Sequence, residues 1–199
     1  MDSHLLLLSL LAIFLSCNGA APPPVYDTDG LELSADASYY VLPAVRGHGG
    51  GLTMAPHVLR CPLFVAQETN ELRKGFPVRF TPEQQQGGDR TVRVSTDVRI
   101  HFAAVTTCVQ TTEWHVSGDD EPTSGRQQVV TGPILAPSPG GREKVFRVES
   151  YGRAKAHTYK LVSCRGSCQD LGVFRDDRGS WLGASDRAHV VVFKKAPPV

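Results

Sequence analysis

The sequence predicts an all-β protein, and three observations carry that prediction. Apolar and polar residues alternate over about a dozen short runs. Turn signals built from Gly, Pro, Asp and Ser recur every eight to fourteen residues. No segment of any length shows the spacing of an amphipathic helix. Short strands at such intervals build a barrel or a sandwich. Periodicity alone does not choose between a sandwich, an up-and-down barrel and a trefoil.

The chain has 199 residues, enough for one large domain or two small ones. Leu5 to Leu15 is an apolar run broken only by Ser9, and small residues follow at Cys17, Gly19, Ala20 and Ala21. That pattern reads as a secretory signal over residues 1–20; the run is too short to span a membrane. The remaining 21–199 contain no Pro/Ser linker and are read as a single domain. Removing Asp2 leaves 21 basic against 19 acidic side chains, a net charge of +2. So even a balance gives no reason to expect nucleic acid or an anionic membrane as a partner.

The runs follow in order. Pro22 to Pro24 is extended, and Val25–Tyr26 leads into an Asp27–Gly30 turn. Leu31 and Leu33 are assigned to one side of a strand, and Tyr39 to Leu42 form a strand stopped at Pro43. His48 and His57 lie in Gly/Pro-rich context and are read as solvated. Leu63 to Val65, Val92 to Val94, Val98 to Phe102 and Glu113 to Val116 read as further strands. Within the last, Trp114 is a core anchor and His115 its outward neighbour. Val129 to Pro133, Val145 to Val148, Tyr159 to Val162, Gly172 to Arg175 and His189 to Phe193 complete the set.

Between the alternating runs Phe76–Phe80 and Thr91–Val94 lies the segment Thr81-Pro82-Glu83-Gln84-Gln85-Gln86-Gly87-Gly88-Asp89-Arg90. It has no apolar side chain beyond its proline and cannot contribute to a core, so it is displayed in solvent. Two readings compete: an ordinary hairpin tip, or a binding loop presented by a β framework.

With Cys17 removed, Cys61, Cys108, Cys164 and Cys168 remain, which in a secreted chain read as two disulfides with three pairings. The short Cys164–Cys168 spacing favours local closure and so suggests Cys61–Cys108 for the other. A zinc site would need a second close pair or a nearby His pair, and neither is visible. No Asn-x-Ser/Thr sequon occurs.

Catalytic patterns are missing: there is no Gly-x-Ser-x-Gly, no HExxH and no phosphate-binding loop. The acidic pairs Asp119–Asp120 and Asp176–Asp177 sit in expected turns rather than across a cleft. Asp27-Thr28-Asp29 opens like a calcium loop but lacks the downstream Glu. A disulfide-stapled binding module, not an enzyme, is the better reading.

Several stretches then converge. Val25-x-Asp27-x-Asp29-Gly30-x-x-Leu33, followed by Tyr39-x-Val41, resembles the signature of the plant Kunitz (soybean trypsin inhibitor type) family, with Leu31 the one departure. Gly49 to Pro56, Cys61-Pro62-Leu63, Thr112 to His115, Cys164 to Gly172 and His189 to Lys195 extend the resemblance through the chain. It is most similar to the cereal branch that inhibits both α-amylase and subtilisin.

This resemblance implies a β-trefoil, the pairing Cys61–Cys108 and Cys164–Cys168, and a monomeric seed inhibitor without catalytic activity. It implies a protease-binding loop at Thr81, Pro82, Glu83, Gln84, Gln85 and Gln86. Gln84 stands where trypsin-inhibiting members carry Arg or Lys, so trypsin's acidic pocket would meet a neutral amide. It implies an amylase-facing set at Ser95, Lys160, Asp176 and Asp186, with Ala188 in place of a larger residue. Asp186 is the residue expected to reach a hydrated calcium ion at the amylase interface through water. The alternatives are an inhibitor with one activity or none, or a sugar-binding trefoil.

Overall fold

The computed structural model describes residues 21–57, 61–84, 88–108, 111–117, 127–134, 141–153 and 156–198. The leader expected over residues 1–20 lies outside them, as do Gln85, Gln86 and the Asp119–Asp120 pair. Twelve strands are present among the described residues, in the order β1 (Tyr39–Pro43), β2 (Leu52–Pro56), β3 (Leu63–Gln67), β4 (Val78–Pro82), β5 (Val98–Phe102), β6 (Trp114–Val116), β7 (Val129–Thr131), β8 (Phe146–Ser150), β9 (Tyr159–Ser163), β10 (Gln169–Arg175), β11 (Ser180–Ala184) and β12 (Val190–Lys195).

The pairing is that of a β-trefoil. Strands β12, β1, β4, β5, β8 and β9 follow one another, and β9 returns to β12, which closes a six-stranded barrel. The three remaining pairs, β2–β3, β6–β7 and β10–β11, are hairpins that join edge to edge over one end. The chain thus repeats one unit three times: barrel strand, hairpin pair, barrel strand. Closure removes the exposed edges that an open sheet would leave. Strands β4 and β5 are linked directly, without a hairpin pair between them. Their connection therefore leaves the barrel at the end opposite the hairpins.

Alternation sets which residues fill the barrel. Val78, Phe80 and Pro82 of β4 are buried while Arg79 and Thr81 face out; Val98, Ile100 and Phe102 of β5 do the same. Phe80 meets Phe193 edge-on with ring centroids 5.4 Å apart, and Trp114 lies against Phe102 and Phe146. Two tyrosine hydroxyls at the barrel wall accept backbone N–H groups of the N-terminal segment: Tyr39 from Ser34 and Tyr159 from Tyr26, at 2.9 and 2.8 Å. Both disulfides are formed, Cys61–Cys108 and Cys164–Cys168.

Four sequence expectations need correction. Leu33 is fully buried but Leu31 is 57% exposed, because this stretch makes isolated bridges rather than a strand and Leu31 falls in the Asp27 turn. That turn is closed by Asp27 Oδ1, which accepts from the backbone of Asp29 and Leu31. His115 is buried, not outward, since the short β6 is covered on both faces. The His57 side chain is only 5% exposed, wedged between Phe64 and Trp181. Finally, the strand that follows β4 and pairs with it is β5; Thr91–Val94 instead bridges the N-terminal segment.

Candidate functional site: a displayed loop and a second surface

Strand β4 carries the first of the candidate positions out of the barrel. Thr81 pairs with Arg99 and Pro82 with Val98, so the backbone is extended up to the point where pairing stops. Pro82 is buried and acts as the inner anchor, while Thr81, Glu83 and Gln84 are exposed. Glu83 continues the register by donating its N–H to the carbonyl of Asp97 at 2.9 Å, and its carboxylate pairs with Arg99. Asp97 is itself fixed: Arg147 Nε and Arg142 Nη2 donate to its two oxygens at 2.5 and 3.0 Å. Burial pushes the Asp97 carboxyl up, but the two guanidinium groups outweigh it and hold it below the usual carboxylate range.

The segment is extended through Pro82, bends at Glu83 and is exposed there, with Gln84 the first residue past the last anchor. At the downstream end Asp89 accepts from Thr91 N at 2.9 Å and from Arg93 Nη2 at 2.8 Å. Those bonds hold the Asp89 carboxyl down at about 2.

The second set of candidates is divided by the fold. Ser95 has φ 59, a left-handed conformation uncommon outside glycine, and its hydroxyl donates to Glu149 at 2.5 Å. Glu149 stands opposite Lys160 in the β8–β9 ladder, and Lys160 Nζ donates to Asp170 at 2.6 Å. Asp170 accepts the backbone N–H of Ser185 at 2.9 Å, so the turn carrying exposed Asp186 follows directly. Ser95, Lys160 and Asp186 are thus strung along one chain of contacts. Gly172 makes the last link close: a Cβ there would lie 2.3 Å from the carbonyl of Arg187.

Asp176 stands apart. It lies at the tip of the β10–β11 hairpin, while Asp186 follows the open end, roughly 20 Å away at the rise of a strand. One Asp176 oxygen accepts from Arg178 N, Gly179 N and Trp181 Nε1 at 2.9, 3.0 and 2.9 Å. The other accepts from His57 Nε2 at 3.1 Å.

Comparison with known proteins places this architecture. The Kunitz legume family model, described as trypsin and protease inhibitor, matches residues 25–195. The chain belongs to the plant Kunitz inhibitor family. Among Kunitz relatives it is 69% identical over 199 residues to the alpha-amylase/subtilisin inhibitor of Oryza sativa subsp. japonica, covering 98% of this chain and 94% of that one. It is 63% identical over 180 residues to the endogenous alpha-amylase/subtilisin inhibitor of Triticum aestivum, covering 89% and 99%. The solved structure of the rice bifunctional alpha-amylase/subtilisin inhibitor superposes with a TM-score of 0.75 at 67% identity, covering 88% of this chain and 100% of that one.

Within this Kunitz chain, several residues that organise the two surfaces escaped the sequence reading. Arg99, Arg142 and Arg147, which fix Glu83 and Asp97, come from strands β5 and β8 and from the segment before β8. Glu149 and Asp170, which align Ser95 and Lys160, are brought there by the ladder. His57 and Trp181, which hold Asp176, lie 119 and 5 residues from it. Only the Asp89–Arg93 pair, four residues apart, carried a local charge signal.

Proposed function

We propose that this chain is a secreted, monomeric, bifunctional inhibitor of subtilisin-type serine proteases and of a plant α-amylase, and that it catalyses no reaction of its own. Residues 1–20 would direct export and be removed, leaving 21–199 as the inhibitor domain. The names of the rice and wheat relatives carry both targets.

The observation that carries the protease half is the form of the Thr81–Gln84 segment. It is extended through Pro82, bends at Glu83, is exposed at Thr81, Glu83 and Gln84, and is anchored at Pro82, Glu83 and Asp97. A protease cleft binds extended backbone, and a segment fixed before docking loses little conformational freedom on docking. Gln84 would sit at the scissile position. Its neutral amide suits the permissive pocket of a subtilisin better than the acidic pocket of trypsin.

The amylase half would use Ser95, Lys160 and Asp186, with Asp176 supporting the β10–β11 tip. Among the described residues no group of three or more His, Cys, Asp or Glu side chains gathers to hold a metal. Asp186, exposed and without a hydrogen bond among the described residues, therefore fits a calcium ion only as one water-mediated contact, the remaining ligands being the amylase's own oxygens. Such an ion would screen the repulsion between Asp186 and carboxylates lining the amylase cleft.

Titration of purified protein against subtilisin, trypsin and a cereal α-amylase tests the proposal. Stoichiometric loss of subtilisin and amylase activity with trypsin untouched supports it. Strong trypsin inhibition without an effect on subtilisin would contradict the placement of Gln84.

A further inference from the structure

The two ends of the protease-binding segment are held by different parts of the chain. Its upstream end rests on the barrel through Pro82, Glu83 and Asp97. Its downstream end meets the barrel later, at Ser95, whose N–H donates to the carbonyl of Val148 at 2.9 Å. Residues 91–94 lie between two N-terminal stretches: Val92 N donates to Leu33 O and Ala35 N to Arg90 O on one side. On the other, Val25 N donates to Val92 O and Val94 N to Pro23 O, all at 2.8–2.9 Å.

One side chain joins these pieces. Arg93 Nη1 donates to the carbonyl of Pro22 at 2.9 Å, while its Nη2 and Nε donate to Asp89 Oδ2 at 2.8 and 3.2 Å. Arg93 is 29% exposed, and its planar fork is what allows one group to reach a carbonyl and a carboxylate together. The run Pro22-Pro23-Pro24 suits the other half of the arrangement. Proline has no N–H and a fixed φ, so this tail offers only carbonyls, already aligned. Two of the three are used, by Arg93 and by Val94 N. Between tail and loop runs an open groove of about 450 Å³, bordered by Pro22, Pro82, Gln84, Asp89, Arg93 and Asp97.

We infer that the tail Pro22–Val25 is a splint for the protease-binding loop, and that Arg93, through Pro22 and Asp89, is a positioning residue for protease inhibition. The inference rests on the protease reading above. Without the splint the loop loses its downstream contacts with Pro22 and Pro23 and keeps those with Leu33, Ala35 and, at Ser95, the barrel. It then pays more conformational entropy on docking and is cut more readily as a substrate.

The test compares the chain beginning at Ala21 with two altered proteins, the same chain with Arg93→Gln and a chain beginning at Val25, and with a fourth that combines the two changes. Each is titrated against subtilisin, and each is exposed to a glutamyl endopeptidase with cleavage after Glu83 followed by mass spectrometry. The splint predicts at least tenfold weaker subtilisin inhibition and severalfold faster Glu83 cleavage in both altered proteins. Combining the truncation with Arg93→Gln should add little, because both remove one arrangement. The truncated chain keeps every loop side chain, so it decides the question even if Arg93→Gln folds poorly. Unchanged inhibition and unchanged Glu83 cleavage in the truncated chain would overturn the inference. If the Ala21 chain leaves subtilisin fully active, the protease reading falls and takes the inhibitory role of Arg93 with it. The Glu83 cleavage rates would then report separately on whether the tail orders the loop.

Discussion

Asp176 Oδ2 accepts a hydrogen bond from His57 Nε2 at 3.1 Å, and this contact ties the tip of the β10–β11 hairpin to the end of β2. The imidazole is held edge-on against Trp181, ring centroids 4.6 Å apart, and Trp181 donates to the same carboxylate. Asp176 is therefore a structural hub of one cap hairpin, whatever partner the surface around it meets.

Asp176→Ala should cost about 2–3 kcal/mol, since it strands the N–H of a buried indole, an imidazole and two backbone N–H groups. For a chain of this size that is a fall in Tm of roughly 5–10 °C. Thermal unfolding of the variant checks it; a change under 2 °C would contradict the role.

The same carboxylate gives a pH dependence of definite sign. Burial pushes its pKa up, but hydrogen bonds from Trp181, His57, Arg178 and Gly179 prevail and hold it at about 2. A depressed carboxylate contributes stability above its unfolded pKa of about 4 and loses it as the pH falls toward 2. The stability gap between wild type and Asp176→Asn should be constant above pH 5 and narrow between pH 4 and pH 2. Urea unfolding at stepped pH measures it, and a gap that widens on acidification would be the wrong sign.

The two disulfides should differ in weight. Cys61–Cys108 closes a separation of 47 residues and Cys164–Cys168 one of 4. By the loop-entropy relation they contribute about 4 and about 2 kcal/mol. Denaturant unfolding of the paired Cys→Ser variants tests the order, which fails if the short loop proves the costlier to remove.

Gln84→Arg should raise trypsin inhibition at least tenfold over the wild type, by placing a guanidinium where the pocket's acid can pair with it. Amylase inhibition should change far less, since of the amylase-facing set only Ser95 borders the groove that Gln84 lines. A titration with trypsin decides; no gain would mean that Gln84 does not face the pocket.

At the second surface, Asp186→Ala should weaken inhibition of a cereal α-amylase and remove its dependence on added calcium. Asp186 makes no hydrogen bond within the described residues, so stability should hold within about 0.5 kcal/mol. Full potency in Asp186→Ala, or inhibition of the wild type that ignores calcium, would exclude the proposed bridge.

Much of this was legible in the sequence, for reasons that differ by element. Val78–Phe80 and Val98–Phe102 announce themselves because a barrel strand has one wet face and one dry, so alternation survives in the sequence. His115 did not, because a three-residue strand packed on both sides has no alternation to show. The extent of the loop was misjudged because Thr91–Val94 has strand-like alternation but bridges Pro24 and Ser34 instead of β4. The displayed segment itself was visible as a run without apolar side chains. What holds it was not: Arg99, Arg147 and Pro22 arrive from distant segments, and spacing along the chain carries no trace of them.

The central claim is that one chain carries two inhibitory surfaces, the loop at Gln84 and a surface that runs from Ser95 through Lys160 to the turn at Asp186. The most direct test is to saturate the protein with subtilisin and then measure its inhibition of a cereal α-amylase, while sizing the mixture by sedimentation. The account predicts undiminished amylase inhibition and a complex holding one copy of each of the three proteins. Release of amylase as subtilisin binds, with only two-component complexes present, would contradict it.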